Sequence, residues 1–69
     1  MAVEKAVELI GTGPTLQEAV QEALDRAELT LRGITAFDVE HVGGTVENGR
    51  VTYRVRLLVW FALLEPVHG

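Results

Sequence analysis

The stretch VTYRVRLLVWFALL, residues Val51–Leu64, puts apolar side chains on both faces of any strand it forms. With the period of two that a strand imposes, Tyr53, Val55, Leu57, Val59, Phe61 and Leu63 fall on one face. Thr52, Arg54, Arg56, Leu58, Trp60, Ala62 and Leu64 fall on the other, which opens with two arginines and continues as an apolar stripe. A chain of 69 residues makes one domain, expected to span residues 1–69 with its core at about 3–65, and has little material with which to cover both faces. At this size a single core stabilises by only about 3–5 kcal/mol, so small domains usually add a staple. The sequence has no cysteine, which removes disulfides and thiolate metal sites together. Association is the staple that remains.

Charge narrows the partners. The net charge is −4 and the six Lys and Arg are scattered, whereas phosphate-backbone binding needs a concentrated basic face; nucleic acid is not expected. No signal-peptide pattern is present, and the apolar run from Leu57 to Leu64 is far shorter than the roughly 20 residues of a membrane span. A soluble cytoplasmic protein without a membrane partner is the expectation.

The punctuation along the chain is clear. AVEKAVELIG alternates, with Val3, Lys5, Val7 and Leu9 on one face and Glu4, Ala6 and Glu8 on the other, and reads as a first strand. TGPT breaks it. Thr15 followed by Glu18 forms a T-x-x-E capping box, and Leu16, Ala19, Val20, Ala23, Leu24, Ala27 and Leu31 then recur on one helical face. The helix is expected over about Leu16–Arg32, with Gly33 as its stop. ITAFDVEHV and GRVTYRVRLLVWFALL follow as strands joined by ENG, where Asn48-Gly49 is a hairpin signal because both residues tolerate positive φ. The fold class is therefore α+β: strand, helix, strand, strand, in a three-stranded antiparallel sheet with the helix against the side that carries Phe37, Val39, Tyr53, Val55, Leu57, Val59 and Phe61.

Few residues invite a chemical reading. Gly11-x-Gly13 before a helix resembles the start of a dinucleotide fingerprint, but the third glycine position holds Leu16 and the next strands form a hairpin. A tight turn before a capped helix accounts for it. Serine and cysteine are absent, so an enzyme using a hydroxyl or thiol nucleophile would depend on threonine, and no His–Thr–acid arrangement is discernible. The chain is read as a non-enzyme. Simple alternation places His41 with Phe37 and Val39, where it is expected to pack or lie at an edge, and His68 follows Pro66; neither belongs to an HxH or HExxH pattern that would hold zinc. Asp38 and Glu40 are expected to share a face with Ala36 and Val42, as a solvated or salt-bridged stripe or as a hard-cation pair. The stripe of Leu58, Trp60, Ala62 and Leu64 has no cover within the chain and marks an association surface. Arg54 and Arg56 on that side, set against Glu4, Glu8, Asp38 and Glu40, suit ion pairs between copies.

The segment VELIGTGPTLQEAVQEALDRAELTLRGI resembles the dodecins, whose first strand ends in ELVGTSPTS and whose helix follows the pattern EEAVENAVERASKTLR before two long strands. The likeness runs from about Val3 to Glu65. It implies a sheet wrapped around one helix and a hollow homododecamer that binds flavins, riboflavin or its phosphate (FMN), for storage or quenching. Three positions depart from the family pattern. Where the family reads LRWFEV, with a tryptophan that stacks on the flavin, this chain reads GITAFDV and has Ala36. Where many bacterial members read RG, with a phosphate-reaching arginine, it has Gly43-Gly44, and where the family reads YQV it has Tyr53-Arg54-Val55. Flavin affinity is expected to be weak or lost. Trp60 stands where the family often has a small residue, and serves either as a substitute stacking ring or as filler between subunits. A flavin-lacking subset of the family, some of it associated with calcium, is the nearer resemblance. The alternative is thus a structural or ion-binding assembly, with Ca2+ or Mg2+ held by Asp38, Glu40 or Glu47 near symmetry axes.

Overall fold

The structure, a computed structural model, describes residues 2–64. His68 and Pro66 lie outside the described residues. Four elements follow in the expected order: β1 (Ala2–Gly13), α1 (Leu16–Thr30), β2 (Ile34–Glu47) and β3 (Arg50–Leu64). The sheet order is β1-β3-β2, antiparallel throughout, so the doubly apolar strand occupies the centre. That placement suits its sequence, because a central strand has both edges paired and both faces available for packing.

The turns follow from local chemistry. Thr15 is extended and its Oγ1 accepts the backbone N–H of Glu18 at 3.1 Å, while the hydroxyl donates to the Glu18 carboxylate, also at 3.1 Å. The helix ends at Thr30, two residues before the expected Arg32: Leu31 is already extended, with its N–H still bonded to the Ala27 carbonyl at 2.8 Å. The early stop has a cause. Gly33 takes φ +71 and its carbonyl accepts the N–H of Ala62 at 3.0 Å, so the connection must leave the helix in time to reach β3. Asn48 (φ 51) and Gly49 (φ 77) are consecutive left-handed residues, as a two-residue type I′ hairpin loop requires.

The core is small and close-packed. Ala19, Ala23 and Ala27 form a rail of small residues on α1 that is buried against Val55, Leu57 and Val59 of β3. The rail lets helix and sheet approach until backbones touch. Gly11 and Gly13, which remain in the strand and do not form the turn, complete the fit: a Cβ on Gly11 would lie 2.8 Å from the Ala23 Cβ and 2.9 Å from its nitrogen, and one on Gly13 would lie 2.8 Å from the Ala19 nitrogen. The G-x-G spacing thus serves helix-on-strand packing, with Pro14 and Thr15 making the bend.

Cover is incomplete on the helix side. The helix packs on β1 and β3, and Phe37 and Val39 of β2, expected beneath it, are each 43% exposed. A helix about 10 Å across spans roughly two strands at 4.8 Å spacing, so the third is left bare. Beyond the helix the β2–β3 hairpin continues with Val42, Val46, Val51 and Tyr53 exposed. The radius of gyration of 15.0 Å reflects this arm, since a compact domain of this length would measure about 11 Å.

The glycine contact gives a direct test. Gly11→Ala should lower unfolding stability by about 1–3 kcal/mol, the usual cost of overpacking, whereas Gly43→Ala, whose Cβ would meet only the His41 imidazole at 3.3 Å, should cost less. Denaturant midpoints for the two variants decide it; an unchanged midpoint for Gly11→Ala would contradict the close-packing account.

Candidate functional site

The sheet face turned away from α1 carries the side chains with chemistry. Its rows can be read from strand pairing, because residues directly opposite share a face. Trp60 stands in the centre of one row, opposite Ala6 on β1 and Ala36 on β2. Both neighbours are methyl-sized, which gives the indole room to lie across the sheet. Leu58 stands between Glu8 and Asp38, Arg56 between Ile10 and His41, and Arg54 between Thr12 and Gly43.

The indole is tethered. Trp60 Nε1 donates to Asp38 Oδ2 at 2.8 Å, a diagonal contact across the β2–β3 pair. The Thr35 hydroxyl lies 3.5 Å from both the Trp60 carbonyl and a Glu4 carboxylate oxygen. Two of the carboxylates expected to face the arginines are therefore engaged elsewhere in the same chain. Among the described residues the one ion pair is Arg26–Glu22 at 3.8 Å on the helix, and neither Arg54 nor Arg56 has a carboxylate within that reach. Leu58, Trp60 and Ala62 are half-buried, and the exposed large hydrophobic residues lie mainly on β2 and the hairpin arm, with Ile10, Leu16 and Leu29 among those elsewhere, and not, as expected, on this stripe.

Backbone irregularities in β2 overturn two simple alternations. The register shifts between Ile34 and Ala36 and again between Val39 and His41, where β2 advances two residues for one on β3. Such a bulge re-aims the side chains beyond it. His41 consequently pairs with Arg56 and joins the arginine face, instead of lying with Phe37 and Val39. Val42 pairs with Val55 and moves to the helix face, away from Asp38, with which it was expected to align. Strand periodicity contains no trace of an inserted residue, so neither shift was visible in the sequence. The Trp60–Asp38 bond had a weak signal: a tryptophan and an acid on facing strands.

The expected ligand positions are spread along the sheet. Ala36 is opposite Trp60 and Gly43 is opposite Arg54. The two pairs are six residues apart on β3, about 20 Å at strand rise, farther than one ring system reaches. Asp38, Glu40 and Glu47 do not converge: among the described residues no group of three metal-capable side chains forms. Asp38 holds the indole, Glu40 sits at the bulge, and Glu47 pairs with Arg50 beside the hairpin turn.

The sequence model of the Dodecin family matches residues 3–64. The chain belongs to the dodecin family. It is 46% identical over 65 residues to the dodecin of Thermus thermophilus, covering 91% of this chain and 94% of that one. It is 35% identical over 65 residues to a Mycobacterium tuberculosis protein named calcium dodecin, covering 91% and 92%. The crystal structure of an arginine-to-alanine variant of the Thermus dodecin superposes with a TM-score of 0.90 at 44% identity, over 96% of this chain and all of the other. The strand–helix–strand–strand architecture is thus the dodecin fold. Among the described residues no helix is long and apolar enough to cross a membrane.

Trp60 is the one tryptophan in the chain, so its fluorescence reports this face directly. Asp38→Ala removes the acceptor for Nε1 and should shift the emission maximum and cost about 1 kcal/mol, while Asp38→Asn, which keeps an acceptor oxygen, should stay close to the parent. Identical spectra for Asp38→Ala and the parent would show that the bond does not hold the ring in solution.

Proposed function

We propose that this dodecin-family chain assembles into a hollow homododecameric shell for binding or storing a small planar ligand of flavin type, with no catalytic step of its own and with weak affinity for riboflavin or FMN. The observation that carries the assembly is the apolar surface a single chain leaves open: among the described residues seven hydrophobic side chains are buried, and eleven large ones are exposed. Six of these, Phe37, Val39, Val42, Val46, Val51 and Tyr53, share one face of the β2–β3 hairpin; monomeric proteins rarely leave a contiguous apolar patch of that kind, and copies of the same chain cover it most simply. The names and folds of the relatives support the same reading. Residues 1–69 then act as one domain in a cytoplasmic assembly whose partner is itself.

Weak flavin binding follows from the altered positions. With Ala36 in place of the stacking ring, a ligand loses an aromatic contact of about 0.5–1.5 kcal/mol and the further area burial at roughly 25 cal/mol per Å². Gly43 supplies no guanidinium, and Arg54 replaces an amide at the ring edge. Trp60 is the available substitute platform, because it stands on the same face directly opposite Ala36. A second reading is an ion-dependent assembly using Ca2+ or Mg2+, favoured by the relative named calcium dodecin. Asp38, Glu40 and Glu47 would then act from different copies, and calcium should raise the melting temperature of the parent but not of a Glu40→Gln, Glu47→Gln variant.

Native mass spectrometry of the purified protein tests the proposal, reporting copy number and bound ligand together. Twelve copies are expected; a folded monomer at micromolar concentration would sink it. Trp60→Glu should shift the population to smaller species, since a carboxylate would enter a covered surface without a partner. The flavin site has its own test. Cβ atoms of directly opposed residues lie about 5 Å apart, so a tryptophan placed at Ala36 would collide with the existing indole. Ala36→Trp combined with Trp60→Gly and Arg54→Gln should therefore raise FMN affinity well beyond Ala36→Trp alone. Tight FMN binding by the parent protein would refute the weak-affinity reading.

A further inference from the structure

We propose that the face opposite the helix carries a site for a compact oxyanion, a phosphate or phosphoryl group, held by His41, Arg54 and Arg56. These three side chains and Ile10 line an open cavity of about 120 Å3 drawn from all three strands. The volume selects the ligand. It equals about four waters at roughly 30 Å3 each and falls well below the roughly 300 Å3 at which ring-sized ligands begin to be accommodated.

The charge balance selects its sign. The chain has a net charge of −4, yet two of its six Lys and Arg stand on one face of one strand without a carboxylate opposite either of them. Arg56 faces Ile10 and His41, and Arg54 faces Thr12 and Gly43. Of the acids on this face, Asp38 is taken by the Trp60 indole, and Glu8, opposite Leu58 one row from Arg56, makes no ion pair with it. Two guanidinium groups that repel one another and make no ion pair among the described residues are stabilised by an anion that each can reach, and guanidinium N–H groups match phosphate oxygens in geometry.

The backbone contributes a third donor. Without the bulge between Val39 and His41, the imidazole would lie on the helix side; with it, His41 stands directly across from Arg56. An imidazole carries at least one N–H whatever its protonation state. Gly43 keeps that donor uncovered, since even a Cβ there would press on His41 Nε2 at 3.3 Å. The proposal depends on the shell reading only in requiring that neighbouring copies leave the cavity open.

Calorimetric titration of the purified assembly with inorganic phosphate, with riboflavin and with FMN tests the site. Saturable phosphate binding is expected, weakened by about 10- to 100-fold in Arg56→Gln, as loss of one charge-assisted hydrogen bond implies. FMN binding more tightly than riboflavin, with the difference lost in Arg56→Gln, would assign the phosphoryl end of a larger ligand; equal binding of the two flavins would assign free phosphate. If Arg56→Gln does not assemble by native mass spectrometry, Gly43→Glu, which sets a carboxylate across from Arg54, takes its place and should abolish phosphate binding. A dodecamer that shows no saturable phosphate binding, or one whose binding is unchanged in the variants, overturns the site and leaves the shell standing. A monomer that binds phosphate overturns the shell and leaves the site.

Discussion

The close approach of α1 to the sheet is the contact on which the rest of the architecture depends. It is made by absence of side chain: methyl groups at Ala19, Ala23 and Ala27 meet the bare backbone of Gly11 and Gly13 and the branched side chains of β3. Larger residues on either side would lift the helix and open voids, which cost stability in proportion to their volume. A core of this kind buries little area per residue. It secures the position of the helix over β1 and β3, and by doing so it determines which apolar groups are left over.

Those leftovers have an order to them. The helix is about two strands wide, β2 is third in the sheet, and so Phe37 and Val39 emerge half-exposed beside the hairpin arm with its Val42, Val46 and Val51. The opposite face is different in kind. There the indole is bonded to Asp38, the apolar residues are shaded by cross-strand neighbours, and charge gathers toward the hairpin end. One surface is therefore distinguished by its apolar area, the other by discrete polar groups. Interfaces that combine the two derive affinity from the first and register from the second.

Most of the fold was legible because it rests on local signals. Thr15 with Glu18, Asn48 with Gly49, and the four-residue spacing of Ala19, Ala23 and Ala27 each act within a few residues, and each appears in the structure as expected, while Leu16 stays exposed and Leu31 falls beyond the helix. The departures are long-range. The helix stops at Thr30 because Gly33 must bond to β3, and that partner is 29 positions away at Ala62. His41 and Val42 change faces because β2 takes in an extra residue against β3, and only the pairing reveals it. The candidate site suffers most, since it lies on that pairing: Ala36, Gly43 and Arg54 were found by resemblance, whereas the company each keeps, Trp60 for Ala36 and Arg54 for Gly43, is a property of register.

Register also explains how an aromatic can move without loss of the sheet. In an antiparallel ladder two directly opposed positions share one volume, so a large ring at either member demands a small residue at the other. This chain has alanine at 36 and tryptophan at 60, the reverse of the tryptophan and small residue that the family pattern implies. The ring is displaced by one strand spacing, about 4.8 Å, from the edge strand to the central one. On the central strand it gains flanking methyl groups from both sides, Ala6 and Ala36, and an acceptor in Asp38. An edge ring can swing to meet a ligand; a tethered central ring presents a fixed surface. Any planar molecule that binds this face must therefore fit the indole as it stands, which favours selectivity by shape over adaptability.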